Sequence, residues 1–284
     1  MLYQLGREAE RTGQSDAAVS LYAEAEQALG TMADGLGDDA EAQALERLLP
    51  RLRRRLGWPA LPRATEPVTE RWARCLAPTG RGGTASCVEL AVRDHLSCDQ
   101  APVHYVENTL LTGLFGLLCW EAIFAPLPGA FFHPFHSGPA DLYREDFVSR
   151  RRERFDACLG KLVDGSYREA IRAAWREKYG LASPFVHWGV LDERLIDQAL
   201  YGLPAEHLRL CFERLLADLK ANRAGLPDLI QFLPRDDDEA PRYRFIEVKG
   251  PGDRLQDNQR RWLAFFHRHA MPAVVCHVTW QAAP

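Results

Sequence analysis

Two short apolar segments near the C-terminus carry charged residues where a buried strand normally carries none. Asp228 opens the first segment after Gly-Leu-Pro, and Glu247 and Lys249 lie in the second. A strand that is buried on both faces usually reads as a continuous Val, Ile and Leu run, and burying an unpaired charge is costly. We therefore interpret these three residues as a functional site, which requires a fold that brings the two segments together.

The segments around these residues predict a small mixed sheet. Residues 229–233 and 243–248 are typical of two antiparallel strands joined by a polar loop. An amphipathic helix is predicted over 254–269 and a hydrophobic strand over 273–279. The order β-β-α-β, preceded by helix, predicts a mixed β-sheet flanked by helices, with its core at about 224–280.

The rest of the chain reads as mostly helical. Residues 2–29 hold two helical patterns on either side of a Thr-Gly-Gln-Ser-Asp turn, and the second carries one apolar stripe. The pair resembles a tetratricopeptide unit, which cannot bury its apolar face alone, so we expect it to stack on neighbouring sequence. A start inside a repeat suggests a fragment of a longer protein. After a linker at 30–39, helices are predicted over 40–56, 66–75, 86–95, 105–124, 166–179, 192–200 and 204–223.

These patterns predict a two-part architecture, which a chain of 284 residues is long enough to form. We expect residues 1–100 to form a helical, tetratricopeptide-like region. Residues 101–284 are expected to form the second domain, in which helices precede the sheet. The predicted fold class is therefore α + α/β.

Composition excludes several kinds of protein. The net charge is −4, so attraction to nucleic acid has to come from local basic patches. The seven cysteines include no CxxC pair, which argues against a structural zinc site or a disulfide framework and suits a reducing compartment. No secretory signal pattern opens the chain, and no apolar run approaches the roughly 20 residues that span a bilayer. We expect a soluble intracellular protein without membrane contact, in the cytoplasm or nucleoid of a bacterium or the nucleus of a eukaryote.

Two other polar clusters have structural as well as functional explanations. The arginine runs at 51–55 and 150–154 are typical of solvated helix faces, although either could contact DNA phosphates. His133 and His136 form an HxxH pattern, but the proline between them prevents a helical pair of ligands, which disfavours zinc. We keep these residues outside the predicted site.

The charged strand residues have the spacing of a hydrolytic metal site. Glu247 and Lys249 are two positions apart on one strand and share a face, and Asp228 on the neighbouring strand can be brought beside Glu247. Two carboxylates with carbonyl oxygens and water suit Mg²⁺ or Mn²⁺. A nearby lysine can orient or deprotonate the attacking water. This pattern, written PD…ExK, is typical of restriction-endonuclease-like nucleases.

Structural explanations of these acids remain open at this point. Asp228 can be an ordinary aspartate before a strand, and Glu247 and Lys249 can be a surface ion pair. Glu107 is predicted to lie at the start of a strongly apolar helix, where the helix dipole alone favours an acid.

Longer stretches of the chain match a known family. They are Gly225-Leu226-Pro227-Asp228-Leu229, the run IEVKGPGDRL at 246–255, Asn258-Gln259, Trp262-Leu263 and Val275-Cys276-His277-Val278. Together they resemble the VRR-NUC domain, and most closely that of the Fanconi-associated nuclease family. Glu107 and the run LFGLLCWEAIF at 114–124 are similar to the helix that supplies the additional metal-binding glutamate of that family.

The resemblance implies a metal-dependent, structure-selective DNA nuclease, a 5′-flap endonuclease and 5′-to-3′ exonuclease, in interstrand-crosslink repair. Its DNA partner would be a 5′-flap, nicked or branched duplex, and its cofactor Mg²⁺ or Mn²⁺. The implied metal ligands are Glu107, Asp228, Glu247 and the Val248 carbonyl. Lys249 would activate the water, and Gln259 would be an accessory catalytic group. The chain would be a bacterial member or a C-terminal portion of one. It departs from the family in one respect, because the family's additional N-terminal DNA-binding region has no obvious counterpart before Leu2.

Two other functions remain open. A junction-resolving or general phosphodiesterase of the same superfamily would use the same catalytic residues, because those residues do not choose a substrate. A non-catalytic helical-repeat interaction module is disfavoured, because a decayed site would be free to lose Asp228, Glu247 and Lys249. The sequence indicates neither the protein partners nor the oligomeric state.

Overall fold

The computed structural model describes residues 2–31, 50, 53–54, 59, 69–77, 87–133, 135–234 and 242–281. The chain divides into two compact units, Met1–Pro67 and Val68–Pro284. Most of the predicted linker at 30–39 and of the predicted helix at 40–56 lies outside the described residues, as do Arg51 and Arg55. No helix in the described ranges is long and apolar enough to cross a membrane.

The first unit contains helices α1 (Leu2–Arg11) and α2 (Ser15–Thr31), joined by a turn at Gly13 with a φ of 78°. Gly6 on α1 faces the buried ring of Tyr22 on α2 so closely that a Cβ would not fit. Both predicted helices of this segment are confirmed. Their tetratricopeptide character stays a prediction.

The second unit combines one sheet with helices. Its elements are β1 (Glu70–Leu76), α3 (Val88–Leu96), β2 (Val103–Tyr105), α4 (Leu110–Leu118), α5 (Trp120–Ile123), a 3-10 helix (Ser149–Arg151), α6 (Arg152–Asp164), α7 (Tyr167–Lys178), α8 (Glu193–Gly202), α9 (Ala205–Ala217), α10 (Leu219–Asn222), β3 (Leu229–Phe232), β4 (Tyr243–Lys249), α11 (Asp257–Arg268) and β5 (Ala273–Trp280). The strand order is β1-β5-β4-β3-β2. Strand β3 is antiparallel to β2 and β4, whereas β5 is parallel to β4 and β1. The predicted mixed sheet flanked by helices is confirmed.

Two local predictions in this unit are wrong. The segment 66–75 is predicted to be helical, but most of it forms β1, because Trp72 and Leu76 on one face of the strand pack against the apolar core beneath the sheet. The helix predicted over 105–124 begins only at Leu110, because the preceding residues pair with β3 as β2. That helix is also interrupted at Cys119, which separates α4 from α5.

The boundary predicted at residue 100 differs from the observed division. Strand β1 and helix α3 precede residue 100, yet β1 pairs with β5 and α3 packs on the sheet. The unit that contains the sheet therefore begins at Val68.

Successive residues of β4 alternate between two apolar cores. Ile246 and Val248 pack with α3 in the smaller core. Phe245 faces the other way and joins the larger core, which contains α4, α9 and α11. Because strand side chains alternate, Glu247 and Lys249 lie on the same side of the sheet as Phe245. The charged pair therefore belongs to the helical side of the sheet.

Helix α4 lies within the larger core, and all nine of its residues are buried. Its glycines allow close packing, since a Cβ on Gly113 would lie 2.9 Å from Leu191 Cδ2 and one on Gly116 would lie 2.7 Å from Phe185 Cβ. The helix is therefore held on several sides. It anchors the turn that joins it to β2.

Replacing Gly225 by alanine should destabilise the second unit more than the same change at Gly165. Their φ angles are 87° and 83°, so either alanine costs about 1–2 kcal/mol in backbone conformation. A Cβ at Gly225 would also lie 2.7 Å from the backbone of Asn258, whereas nothing lies within 4 Å at Gly165. We expect a further loss of about 1–3 kcal/mol in the free energy of unfolding, measured in urea. Equal losses in the two variants would contradict this packing.

Candidate active site

Three charged side chains are buried where the central strands meet. Asp228 immediately precedes β3, and the pairing of Leu229 with Ile246 places Asp228 opposite Glu247. Only 6%, 1% and 8% of the surfaces of Asp228, Glu247 and Lys249 are exposed. The structure therefore brings together the three residues of the PD…ExK pattern.

Short polar contacts hold these side chains. Val248 N donates a hydrogen bond of 2.7 Å to Asp228 Oδ2, which ties the aspartate to β4. Lys249 Nζ lies 2.6 Å from Glu247 Oε1 as an ion pair. Glu247 Oε1 is buried, and Lys249 Nζ is its one polar partner among the residues that the structure describes. Two carboxylates thus share a buried site with one lysine.

Burial disfavours the charged forms of both carboxyl groups. Desolvation is the largest cause that raises the pKa of Asp228 to about 6, although the Val248 N–H and the Lys249 charge oppose it. Desolvation, followed by the charge of Asp228, raises the pKa of Glu247 to about 8, again against the effect of Lys249. One lysine therefore does not balance two carboxylates, and a further cation would stabilise their ionised forms.

Glu107 lies in the turn between β2 and α4, not in the first turn of a helix. Its exposed carboxylate accepts a hydrogen bond from the Tyr105 hydroxyl and another, at 3.4 Å, from Asn108 Nδ2. Its charge helps to raise the pKa of both Asp228 and Glu247, so it lies within electrostatic reach of the pair. The structure thus brings a third carboxylate towards the site, and its role as a metal ligand stays a prediction.

The turn that carries Glu107 is tied to the segment before β3. Val106 N donates to the Asp228 carbonyl at 2.8 Å, and Leu226 N donates to Asn108 Oδ1 at 3.0 Å. Asn108 has a φ of 52°, a left-handed conformation that asparagine adopts more readily than most residues. The contact between Asn108 and Leu226 alone joins positions that are 118 residues apart in the sequence.

Glu89 on α3 is a further acid near the site, and the sequence analysis did not identify it. Its charge helps to raise the pKa of Asp228, and its Oε2 accepts a hydrogen bond of 2.7 Å from Cys87 Sγ. An acid in the first turn of a helix is common because of the helix dipole. No sequence pattern distinguishes Glu89 from such an acid, and its place near Asp228 depends on the packing of α3 against the sheet.

Gln259 lies in the first turn of α11, where its side chain forms half of a capping box. Its Oε1 accepts a hydrogen bond of 2.9 Å from Gln256 N. The contact gives Gln259 a structural role in capping the N-terminus of α11. Its accessory catalytic role, like the Val248 carbonyl as a metal ligand, stays a prediction.

The arginine run at 150–154 is partly structural. Arg151 is buried and donates hydrogen bonds of 2.9 and 3.0 Å to the two oxygens of Asp141. Arg150 donates to the same carboxylate at 2.8 Å. Arg152 and Arg154 are exposed. The first two arginines therefore stabilise the fold, and the solvated face is limited to the last two.

The HxxH pattern lies in an exposed loop. The ring centroids of His133 and His136 are 6.2 Å apart, and His133 Nδ1 accepts a hydrogen bond of 3.3 Å from Phe135 N. Pro134 lies outside the described residues. The ring of His133 is therefore engaged with its own loop, apart from the acidic site.

The donors at the acidic site fit a hard divalent cation. They are carboxylate oxygens of Asp228 and Glu247, and Lys249 is the one cationic side chain in contact with Glu247 among the described residues. In the part of the chain that the structure describes, no three His, Cys, Asp or Glu side chains are grouped closely enough to hold a metal ion. Main-chain oxygens, water or a third carboxylate that moves closer when the cation binds would therefore have to complete the coordination shell.

Comparison with known proteins identifies the class. Residues 163–280 match the VRR-NUC domain. The chain is 60% identical over 242 residues to a Fanconi-associated nuclease 1 homolog of Pseudomonas aeruginosa, covering 85% of this chain and 42% of that protein. It is 32% identical over 209 residues to Fanconi-associated nuclease 1 of Danio rerio, covering 70% and 20%. A crystal structure of paFAN1 bound to 5′-flap DNA with a gap matches with a TM-score of 0.83 at 50% identity, covering 100% of this chain and 55% of that one.

The mixed sheet and its buried Asp, Glu and Lys define a restriction-endonuclease-like VRR-NUC domain. More narrowly, the chain belongs to the Fanconi-associated nuclease family, as its sequence resemblance indicates. The family implies dependence on a divalent metal ion. The chain spans about two fifths of the length of the P. aeruginosa relative and about one fifth of the length of the D. rerio relative.

Removing the Glu247 charge should flatten the pH dependence of stability in the metal-free protein. The folded pKa of Glu247 is raised from 4.5 to about 8, so the folded state holds a proton that the unfolded chain releases. This contribution is fully present below pH 4.5 and is lost as the pH rises towards 8. Glu247→Gln should therefore be more stable than the unaltered chain at pH 8.5, by on the order of a few kcal/mol, and similar to it near pH 4.5.

Urea unfolding in the presence of a chelator, repeated from pH 4.5 to 8.5, measures this difference. Glu145→Gln is the matched control, because it makes the same change at an exposed glutamate. A Glu247→Gln variant with the same pH profile as the unaltered chain would contradict the raised pKa.

Proposed function

We propose that this chain is a metal-dependent, structure-selective DNA nuclease that hydrolyses phosphodiester bonds in interstrand-crosslink repair. Its proposed substrates are 5′-flap, nicked or branched duplexes, cleaved as an endonuclease or a 5′-to-3′ exonuclease. The observation that carries the proposal is the buried cluster of Asp228, Glu247 and Lys249. The similarity to paFAN1, a protein crystallised with 5′-flap DNA, supports this substrate class.

The proposed cofactor is Mg²⁺ or Mn²⁺. The residues that would hold it are Glu107, Asp228, Glu247 and the Val248 carbonyl. When bound, the ion would supply positive charge against the phosphate oxygens as the bond breaks. The Val248 N–H fixes Asp228 Oδ2 at 2.7 Å and so orients that carboxylate in advance. Lys249 Nζ can hold the attacking water by a hydrogen bond and assist the transfer of its proton.

The energetics of the cluster favour catalysis over a purely structural or interaction role. Asp228 and Glu247 are buried with raised pKa values, so ionising either of them costs more free energy in the folded protein than in water. In a helical interaction module, burying these two carboxyl groups would lower stability without contributing to binding. A metal-dependent phosphodiesterase needs it, because the same unbalanced negative charge attracts a divalent cation.

DNA is the proposed partner, and the bacterial cytoplasm at the nucleoid is the proposed location. Since the net charge is −4, DNA binding would depend on local positive patches. Arg150 and Arg151 are paired with Asp141 and are poor candidates for phosphate contacts. Arg152 and Arg154 are exposed on α6 and are the better candidates in that run.

Asp228→Asn and Lys249→Gln should each reduce cleavage of a labelled 5′-flap duplex by more than about 100-fold, because each removes a group that contacts the metal or the water. Cleavage is measured with Mg²⁺ and with Mn²⁺ on a panel of flap, nicked, forked and four-way junction DNAs. The panel also separates the alternatives, since a junction resolvase would prefer the four-way junction and a general phosphodiesterase would cut all substrates equally.

Glu145→Gln is the control for these variants and should cleave the flap at the rate of the unaltered chain, because Glu145 is exposed. DNA binding, measured without divalent metal, should persist in Asp228→Asn. Flap cleavage by both site variants at the unaltered rate would refute the assignment of the site, and no cleavage of any DNA by the unaltered chain would favour a non-catalytic module.

A further inference from the structure

Asn108 contacts both segments that carry the acids of the site. Its Oδ1 accepts a hydrogen bond of 3.0 Å from Leu226 N, in the segment that leads into Asp228. Its Nδ2 donates to Glu107 Oε1 at 3.4 Å. Because a backbone N–H can only donate, the Leu226 contact fixes which amide atom faces it and turns Nδ2 towards Glu107. One side chain thus joins Glu107 to the Asp228 segment.

Tyr105 holds the other oxygen of the same carboxylate. Its hydroxyl donates to Glu107 Oε2, so each oxygen of Glu107 has one hydrogen-bond donor. Tyr105 pairs with Leu229 across β2 and β3, next to Asp228. A carboxylate oxygen accepts more than one contact, so Glu107 can keep these donors and still bind a cation.

The turn does not need the amide of Asn108 for its backbone conformation. Glycine adopts a φ of 52° more readily than asparagine does. The main chain of the turn is held separately, by Val106 N on the Asp228 carbonyl at 2.8 Å and by Thr112 Oγ1 on the Asn108 carbonyl at 2.6 Å. The asparagine side chain is therefore best explained by its contacts with Leu226 and Glu107.

We propose that Asn108, together with Tyr105, is a positioning residue for Glu107. The two side chains fix the orientation of the Glu107 carboxylate, and through it the affinity of the site for a divalent cation. This inference rests on the proposed function, because it requires Glu107 to be a metal ligand. Removing a hydrogen-bond partner of a metal ligand typically weakens metal binding by about 10–100-fold.

The test is a titration of the full chain with Mn²⁺ alone, in which electron paramagnetic resonance measures the free ion. Asn108→Gly retains the backbone conformation and removes both side-chain contacts, and Tyr105→Phe removes the single hydroxyl. We expect each variant to raise the Kd for Mn²⁺ by about 10-fold or more. The same changes made in a Glu107→Gln background should raise the Kd by less than about 2-fold, because residues that act through Glu107 are coupled to it.

Asp228→Asn separates this inference from the proposed function. If Asp228→Asn binds Mn²⁺ as tightly as the unaltered chain, the proposed metal site itself is wrong. If Asp228→Asn and Glu107→Gln lose affinity but Asn108→Gly and Tyr105→Phe do not, only the positioning role is wrong. If Asn108→Gly raises the Kd for Mn²⁺ equally in the unaltered and the Glu107→Gln backgrounds, the role of Asn108 is merely structural, and the positioning proposal is wrong. If circular dichroism shows that Asn108→Gly does not fold, the Kd of Tyr105→Phe for Mn²⁺, measured with and without Glu107→Gln, decides whether the positioning role is correct.

Discussion

The burial of Asp228 and Glu247 against a single lysine is the constraint on which the rest of this structure depends. Taking an ion out of water costs several kcal/mol, and a folded domain is stable by only about 5–15 kcal/mol. Such a pair persists only where rigid surroundings hold it in place. Here the β3–β4 ladder, with Val248 N bonded to Asp228 Oδ2, provides that rigidity. The raised pKa values of both acids show that the surrounding contacts do not fully offset the free-energy cost of burying their charged forms.

The helices contribute to the site as directly as the sheet does. Helix α4, buried along its whole length, anchors the turn that presents Glu107. Helix α11 begins against Gly225, and the absence of a Cβ there lets the helix approach the segment that ends at Asp228. The active-site geometry therefore depends on contacts between elements that are distant in the sequence. The unit that contains the sheet accordingly includes β1 and α3, which precede residue 100.

The local sequence pattern predicts the central strands of the sheet well and its edge strands poorly. Strand β4 was predictable because its apolar residues face two cores while Glu247 and Lys249 interrupt one face. Strands β1 and β2 were not, because they lie at the two edges of the sheet and form through pairing with β5 and β3. Propensity over a few residues carries little information about such long-range pairing.

The site shows the same division between local and distant information. Asp228, Glu247 and Lys249 were predictable from local pattern, because they place charges in apolar segments and have the PD…ExK spacing. Glu107 was reached only through family resemblance, and the structure then showed it in a turn instead of a helix. Glu89 had no sequence signal, because an acid at a helix start is ordinary. Its relevance depends on how α3 packs, which no local pattern records.

The buried acids at the start of β3 and on β4 form the proposed divalent-cation site. Anomalous diffraction from crystals soaked in Mn²⁺ tests it most directly. We expect a peak at roughly 2.0–2.6 Å from carboxylate oxygens of Asp228 and Glu247, with a Glu107 oxygen or an intervening water beside it. A peak elsewhere, with Glu247 still paired to Lys249 and the Glu107 carboxylate turned to bulk solvent, would contradict it.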